Sequence, residues 1–157
     1  MSAAAPVLVA CCGNALAGDD AFGPAVAETL RRNRVENVEV LDLRLDPASL
    51  VERLEGRRML VVVDAARIPQ TPAGRVVALD WRTEARSALP VGSPMGTHGI
   101  SIADQLMLAE SLGMLPPIVW LVVMTLDDAH IGQARGAALA PCVAEAVAVV
   151  LRLAGTR

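Results

Sequence analysis

An α/β fold in three layers is predicted here: a mostly parallel, five-stranded twisted sheet with helices on both faces. Two observations predict it. Short apolar runs alternate along the chain with segments of helical period, the pattern that builds parallel sheets covered by helices. The first of those runs, "VLVACC", is also continuous rather than alternating, as strands buried on both faces are. At 157 residues the chain has the length of one domain with a substantial core, read as a single domain over 1–157.

The first strand is "VLVACC", Val7 to Cys12. A helix from about Phe22 follows, with Phe22, Val26 and Leu30 on one face and Glu28, Arg31 and Arg32 on the other. "VEVLDL" (Val38 to Leu43) is the second strand. A short helix comes next, capped by Asp46, with Pro47 at its first position, Leu50, Val51 and Leu54 inward, and Gly56 at its end. "MLVVVDAA" (Met59 to Ala66) is the third strand, with Asp64 closing its apolar run. "GRVVALDW" (Gly74 to Trp81) is the fourth. From Arg82 to Thr97, prolines and glycines break any period and predict a long loop. A helix then starts near Ser101, where Ser101 and Asp104 fit a capping box, with Ile102, Leu106, Ala109 and Leu112 inward. "PIVWLVVMTL" is the fifth strand. A last helix, Ala137 to Leu153, turns Leu139, Val143, Val147, Val150 and Leu153 inward.

Composition removes several classes of function. Hydrophobic residues make up 54% of the chain, too many for a disordered one. The longest apolar run has ten residues, half of the roughly 20 that a membrane-spanning helix requires. No basic flank of a secretory signal precedes the first strand, so a cytoplasmic location without membrane attachment is expected. Net charge is −3, and Trp81, Trp120 and Phe22 are the only aromatics. Neither a basic stripe nor a stacking platform for nucleic acid is present. Three cysteines, two of them adjacent, suit neither a disulfide framework nor a CxxC zinc site; Cys11 and Cys12 read as small apolar residues at a strand end.

Ligands of parallel sheets gather beyond the carboxyl ends of the strands. That directs attention to "GNALAGDD", Gly13 to Asp20. It lacks the glycine spacing and the Gly-Lys-Ser/Thr of phosphate loops, and two carboxylates would repel an anion there. Gly13 and Asn14 turn the chain off the first strand. Asp19 or Asp20 would serve as helix N-cap, but capping needs only one aspartate. Asp64 either caps the turn after its strand or faces the first loop. His98, between glycines in "GTHGI", is either a surface loop residue or a ligand that something large can approach. His130 reads as a loop residue near the site. Together Asp20, Asp64 and His98 form an O,O,N set that suits nickel or zinc better than calcium. Three protein ligands leave positions open to water or substrate.

The segments "GNALAGDDAFGPAVAETL", "VVVDA", "GTHGIS" and "HIGQARGAALAPCVAEAV" resemble those of the hydrogenase maturation proteases, which process the large subunit of [NiFe]-hydrogenases. The resemblance runs in order along nearly the whole chain and implies a phosphorylase/hydrolase-like form of the α/β fold. It implies an endopeptidase that removes the C-terminal extension of the large-subunit precursor after nickel insertion. It also implies that the precursor's nickel is the recognition element, with no resident metal required. By motif, the family's metal-binding residues fall on Asp20, Asp64 and His98, with Asp19, Asn14, Asp42 and His130 as accessory candidates. Hydrolysis is then either assisted by the metal, with Asp19 or His130 shuttling the proton, or of the aspartic type, with Asp20 and Asp64 sharing one proton. Where the family commonly carries Asp-Gly-Gly-Thr after the second strand, this chain reads "DLRLDP". Asp42 is kept, and the change bears on which precursor is recognised. The loop from Arg82 to Thr97 is the expected docking segment. A non-cleaving chaperone or nickel-sensing adaptor, and a small-ligand α/β enzyme, are the alternatives.

Overall fold

A computed structural model describes residues 4–13, 21–44, 47–85, 87, 102–126 and 136–155. Five strands form one sheet: β1 (Val7–Cys12), β2 (Val38–Arg44), β3 (Met59–Arg67), β4 (Val76–Asp80) and β5 (Ile118–Leu126). Their order is β2-β1-β3-β5-β4; every pairing is parallel except that of edge strand β4 with β5. Among the described residues, three α-helices cover it: α1 (Phe22–Asn33), α2 (Ile102–Ser111) and α3 (Gly136–Leu153). Between β2 and β3 the chain makes a 3-10 helix, Pro47–Arg53. The caps expected at Asp46 and Ser101 lie outside the described residues, as does most of the loop expected up to Thr97.

The central strands β1, β3 and β5 form because they are largely continuous apolar runs, and their period-2 alternation supplies two cores. Val7, Val9 and Cys11 of β1 and Val61 and Val63 of β3 pack beneath α1 and α3. Leu8, Ala10 and Cys12, with Leu60, Val62 and Ala66, pack beneath the 3-10 helix and α2. The predicted three-layer arrangement is the one observed. On α1, Phe22, Val26 and Leu30 are buried and Arg31 and Arg32 face solvent, as the helical period requires. No membrane-length apolar helix occurs among the described residues.

Three expectations change. Trp81–Ala85 opens the predicted loop as one turn of π-helix, because Trp81 and Ala85 are buried in the second core and anchor it. Leu112 is 58% exposed rather than inward. The helix ends at Ser111, and Gly113, at φ 68°, turns the chain away before the apolar stripe is complete. Leu112→Ser is therefore expected to change stability by less than about 0.5 kcal/mol, checked by chemical denaturation. The third change concerns the start of α1. Its N-cap is Ala21, whose methyl group supplies no capping bond, so neither Asp19 nor Asp20 stands at that position.

Candidate functional site

The path of the chain selects one end of the sheet. From β1 it passes through α1 to β2 on one side, then returns through the 3-10 helix to β3 on the other side of β1. Progress along the sheet thus reverses between β1 and β3. Crevices at such switch points, beyond the carboxyl ends of the strands, are where open α/β sheets hold ligands.

Asp64 stands at this place. The parallel ladder between β1 and β3 runs as far as Cys11 opposite Val63, one residue short of Asp64. β3 does not stop there, however. It continues paired with β5, Asp64 opposite Val123, as far as Arg67 opposite Leu126. Asp64 is therefore an interior residue of β3 rather than the end of a strand, since β5 prolongs the ladder after β1 has left it. The turn that follows β3 comes only after Arg67. Its Oδ1 accepts a hydrogen bond of 2.8 Å from the Ala65 amide, and the side chain is half-buried. By alternation it shares a face with Val62 and Ala66, the face covered by α2.

Asp42 lies opposite Cys11 on β2. Val38 and Val40 of the same strand pack on the α1 face, so Asp42 by alternation points to that face, away from Asp64. With β1 between their strands, the two aspartates stand about 9 to 10 Å apart along the sheet. The β1–β2 register then shifts, Cys12 pairing with Arg44, so that the "DLR" departure coincides with a bulge. Asp20 and His98, together with Asn14, Asp19 and His130, lie outside the described residues.

Two buried thiols end β1 at this place, and their surroundings decide their chemistry. Burial pushes the Cys11 thiol well up, with the Asp42 carboxylate adding to the effect. Burial does the same to Cys12, reinforced by Asp64. Both remain neutral thiols, and the thiolate is the nucleophile. Free thiols buried this deeply do not suit the role of a peptidase nucleophile. Alkylating reagents are expected to leave the activity of the folded chain unchanged, which a cleavage assay after iodoacetamide treatment checks.

One polar residue escaped the sequence reading. Gln105 of α2 is buried to 3% exposure on the side of the sheet that carries Asp64. A signal for it exists: Ile102, Gln105, Leu106 and Ala109 form an i, i+3, i+4, i+7 stripe, and a search for apolar members alone passes over the glutamine.

A mostly parallel sheet covered on both faces, with a carboxylate at its switch point, is the framework of an α/β enzyme. The sequence profile of the family described as HycI, hydrogenase maturation protease, matches residues 24–155. The chain belongs to the hydrogenase maturation protease family and is a peptidase of that family. Among solved structures, it is similar to the hydrogenase maturating endopeptidase HybD from E. coli, at 25% identity and a TM-score of 0.74, over 95% of this chain and 93% of that one. It is also similar to the hydrogenase 2 maturation peptidase from Thaumarchaeota archaeon SCGC_AB-539-E09, at 25% identity and a TM-score of 0.66, over 96% and 99% of the two chains. The [NiFe] hydrogenase maturation protease HybD from Thermococcus kodakarensis, 21% identical, shares the fold with a TM-score of 0.71 over 94% of this chain and 97% of that one. No curated protein matches the chain significantly.

Proposed function

We propose that this peptidase removes the C-terminal extension of a [NiFe]-hydrogenase large-subunit precursor after nickel has been inserted. The observation that carries the reading is the position of Asp64: a half-buried carboxylate at the β1–β3 switch point, level with the end of the strand that leads into "GNALAGDD".

In this reading Asp20, Asp64 and His98 grip the nickel that the precursor brings, and so hold the scissile bond at the carboxyl edge of the sheet. The ion is part of the substrate, and nothing in the reading requires a metal resident in the free enzyme. An ion of this kind polarises a carbonyl and acidifies a bound water. The chain's own part is to orient the peptide and to take up the proton, at the Asp19 carboxylate or the His130 imidazole. A cytoplasmic location belongs to the same reading.

The test is incubation of the purified chain with nickel-loaded precursor, followed by mass spectrometry. Loss of a C-terminal peptide is the expected result. A stable complex without loss of mass would make the chain a non-cleaving adaptor instead. A nickel-free precursor cut at full rate would remove the metal-directed part and leave the aspartic-type mechanism.

A further inference from the structure

Three polar or charged side chains are buried among the described residues: Arg57, Thr125 and Gln105. Arg57 donates to the Ala5 and Arg53 carbonyls and to the Glu39 carboxylate. The Thr125 hydroxyl donates to the Pro72 carbonyl at 2.6 Å and accepts from the Arg75 amide at 2.9 Å. Gln105 differs, since among the described residues its carboxamide has no hydrogen-bond partner. The carboxamide is not sealed in, however, and the 3% of the residue that stays accessible includes it. A buried amide without a partner costs stability. An apolar side chain would complete the stripe of Ile102, Leu106 and Ala109 without that cost. A partner from outside the chain is what the position lacks.

Its place in the fold names the chemistry of that partner. A cleft lined by residues 54–57 and 113–117 brings the turn before β3 beside the turn after α2. The helix therefore ends at the amino edge of the sheet and begins at the carboxyl edge, the edge to which β3 carries Asp64. Side chains of a helix lean toward its N-terminus, so Gln105 leans toward that edge. Ile102 and Leu106, its neighbours in the stripe, share a core with Cys12, Val62 and Ala66. Asp64 lies between Val62 and Ala66 on the same face. A carboxylate only accepts hydrogen bonds, whereas a carboxamide donates from Nε2 and accepts at Oε1, as a backbone amide does. We infer that Gln105 is a substrate-positioning residue: its carboxamide pairs with the main chain of the peptide on which Asp64 acts, along the α2 side of the crevice. Such a bond reads no side chain, so it fixes where the segment lies and leaves its sequence to other contacts. The inference rests on the reading of Asp64 as a site residue and of the precursor's C-terminal segment as substrate.

Gln105→Met is the test, because methionine keeps the unbranched shape and removes both polar atoms. Melting temperature is measured beside kcat and KM for cleavage of nickel-loaded precursor. The melting temperature is expected to rise by about 2 to 4 °C, since an unbonded amide leaves the core. KM is expected to rise about tenfold, the size of one or two lost neutral hydrogen bonds, with kcat within about threefold of the wild type. A stabilised enzyme that binds its substrate less well is a pattern that a merely structural glutamine does not give.

A lowered melting temperature, or a variant that does not fold, overturns the inference, because the carboxamide would then be bonded within the fold. An unchanged KM in a folded variant overturns it as well, and the functional reading stands in both cases as long as the wild type cleaves. Wild-type protein that leaves the precursor intact overturns the functional reading, and the positioning role with it.

Discussion

Asp64→Asn is expected to lower the rate of tail removal by about a hundredfold to ten-thousandfold, the range for loss of a group that acts on the reacting atoms. Its melting temperature should stay close to that of the wild type. The two outcomes separate because of the bond the carboxylate makes to its own strand. Oδ1 accepts from the Ala65 amide at 2.8 Å, and an asparagine oxygen accepts the same bond. The substitution keeps shape and acceptor and removes the charge, which both a grip on nickel and an aspartic-type shared proton require. Asp64→Ala removes the acceptor as well, and should add about 0.5 to 1.5 kcal/mol of destabilisation to the same loss of rate. The measurement is single-turnover cleavage of nickel-loaded precursor beside thermal denaturation. A full rate in Asp64→Asn with a lowered melting point would reduce Asp64 to a structural residue of β3.

The reason Asp64 could be found from sequence is that it interrupts a strand otherwise apolar to its end, and a charge there needs an explanation. Its exact setting could not be found that way. Whether a strand stops at a given residue depends on its neighbours, and it is β5, more than fifty residues later in the chain, that carries β3 on to Arg67. Leu112 shows the complementary failure. An apolar stripe extrapolates past the end of its helix unless the stop signal is weighed, and Gly113 was that signal. The β1 and α1 boundaries were readable because a continuous apolar run and a 3.6-residue stripe need no tertiary partner to be recognised. Gly23 was the least readable of all. A backbone-to-backbone contact leaves no trace in sequence beyond a glycine in a helix, and only the fold shows the Cys12 carbonyl beneath it. For Asp20 and His98 the reading rests on motif and chemistry alone, since both lie outside the described residues.

The second large effect is expected at the opposite edge of the sheet, where Glu39→Gln should destabilise the chain by about 2 to 3 kcal/mol at neutral pH. Arg57 is a buried cation, its side chain 3% exposed. It donates from Nη1 to the Ala5 carbonyl at 2.6 Å, from Nε to the Arg53 carbonyl at 3.0 Å, and from Nη2 to Glu39 Oε2 at 2.5 Å. Arg53 pairs with the other oxygen of the same carboxylate. The cluster therefore joins the chain just before β1, the start of β2, and the turn that leads into β3. Replacing Glu39 leaves the buried Arg57 charge answered by carbonyls in place of a carboxylate, the costly way to break such a pair. The hydrogen bond from Arg57, helped by the charges of Arg57 and Arg53, holds the Glu39 carboxyl below its ordinary value of 4.5. A depressed carboxyl pKa stabilises the folded state above the unfolded value, and this contribution is lost as pH falls through the folded one. The stability gap between wild type and Glu39→Gln should thus be complete above about pH 5 and close steadily as pH falls further, because protonation of Glu39 removes the same charge that the substitution removes. Denaturant titrations of both proteins across that range provide the measurement, and a gap that stays constant would show that the carboxylate charge is not what holds Arg57. Cleavage by the folded variant should match the wild type, since the cluster lies at the amino ends of the strands and Asp64 at the carboxyl edge.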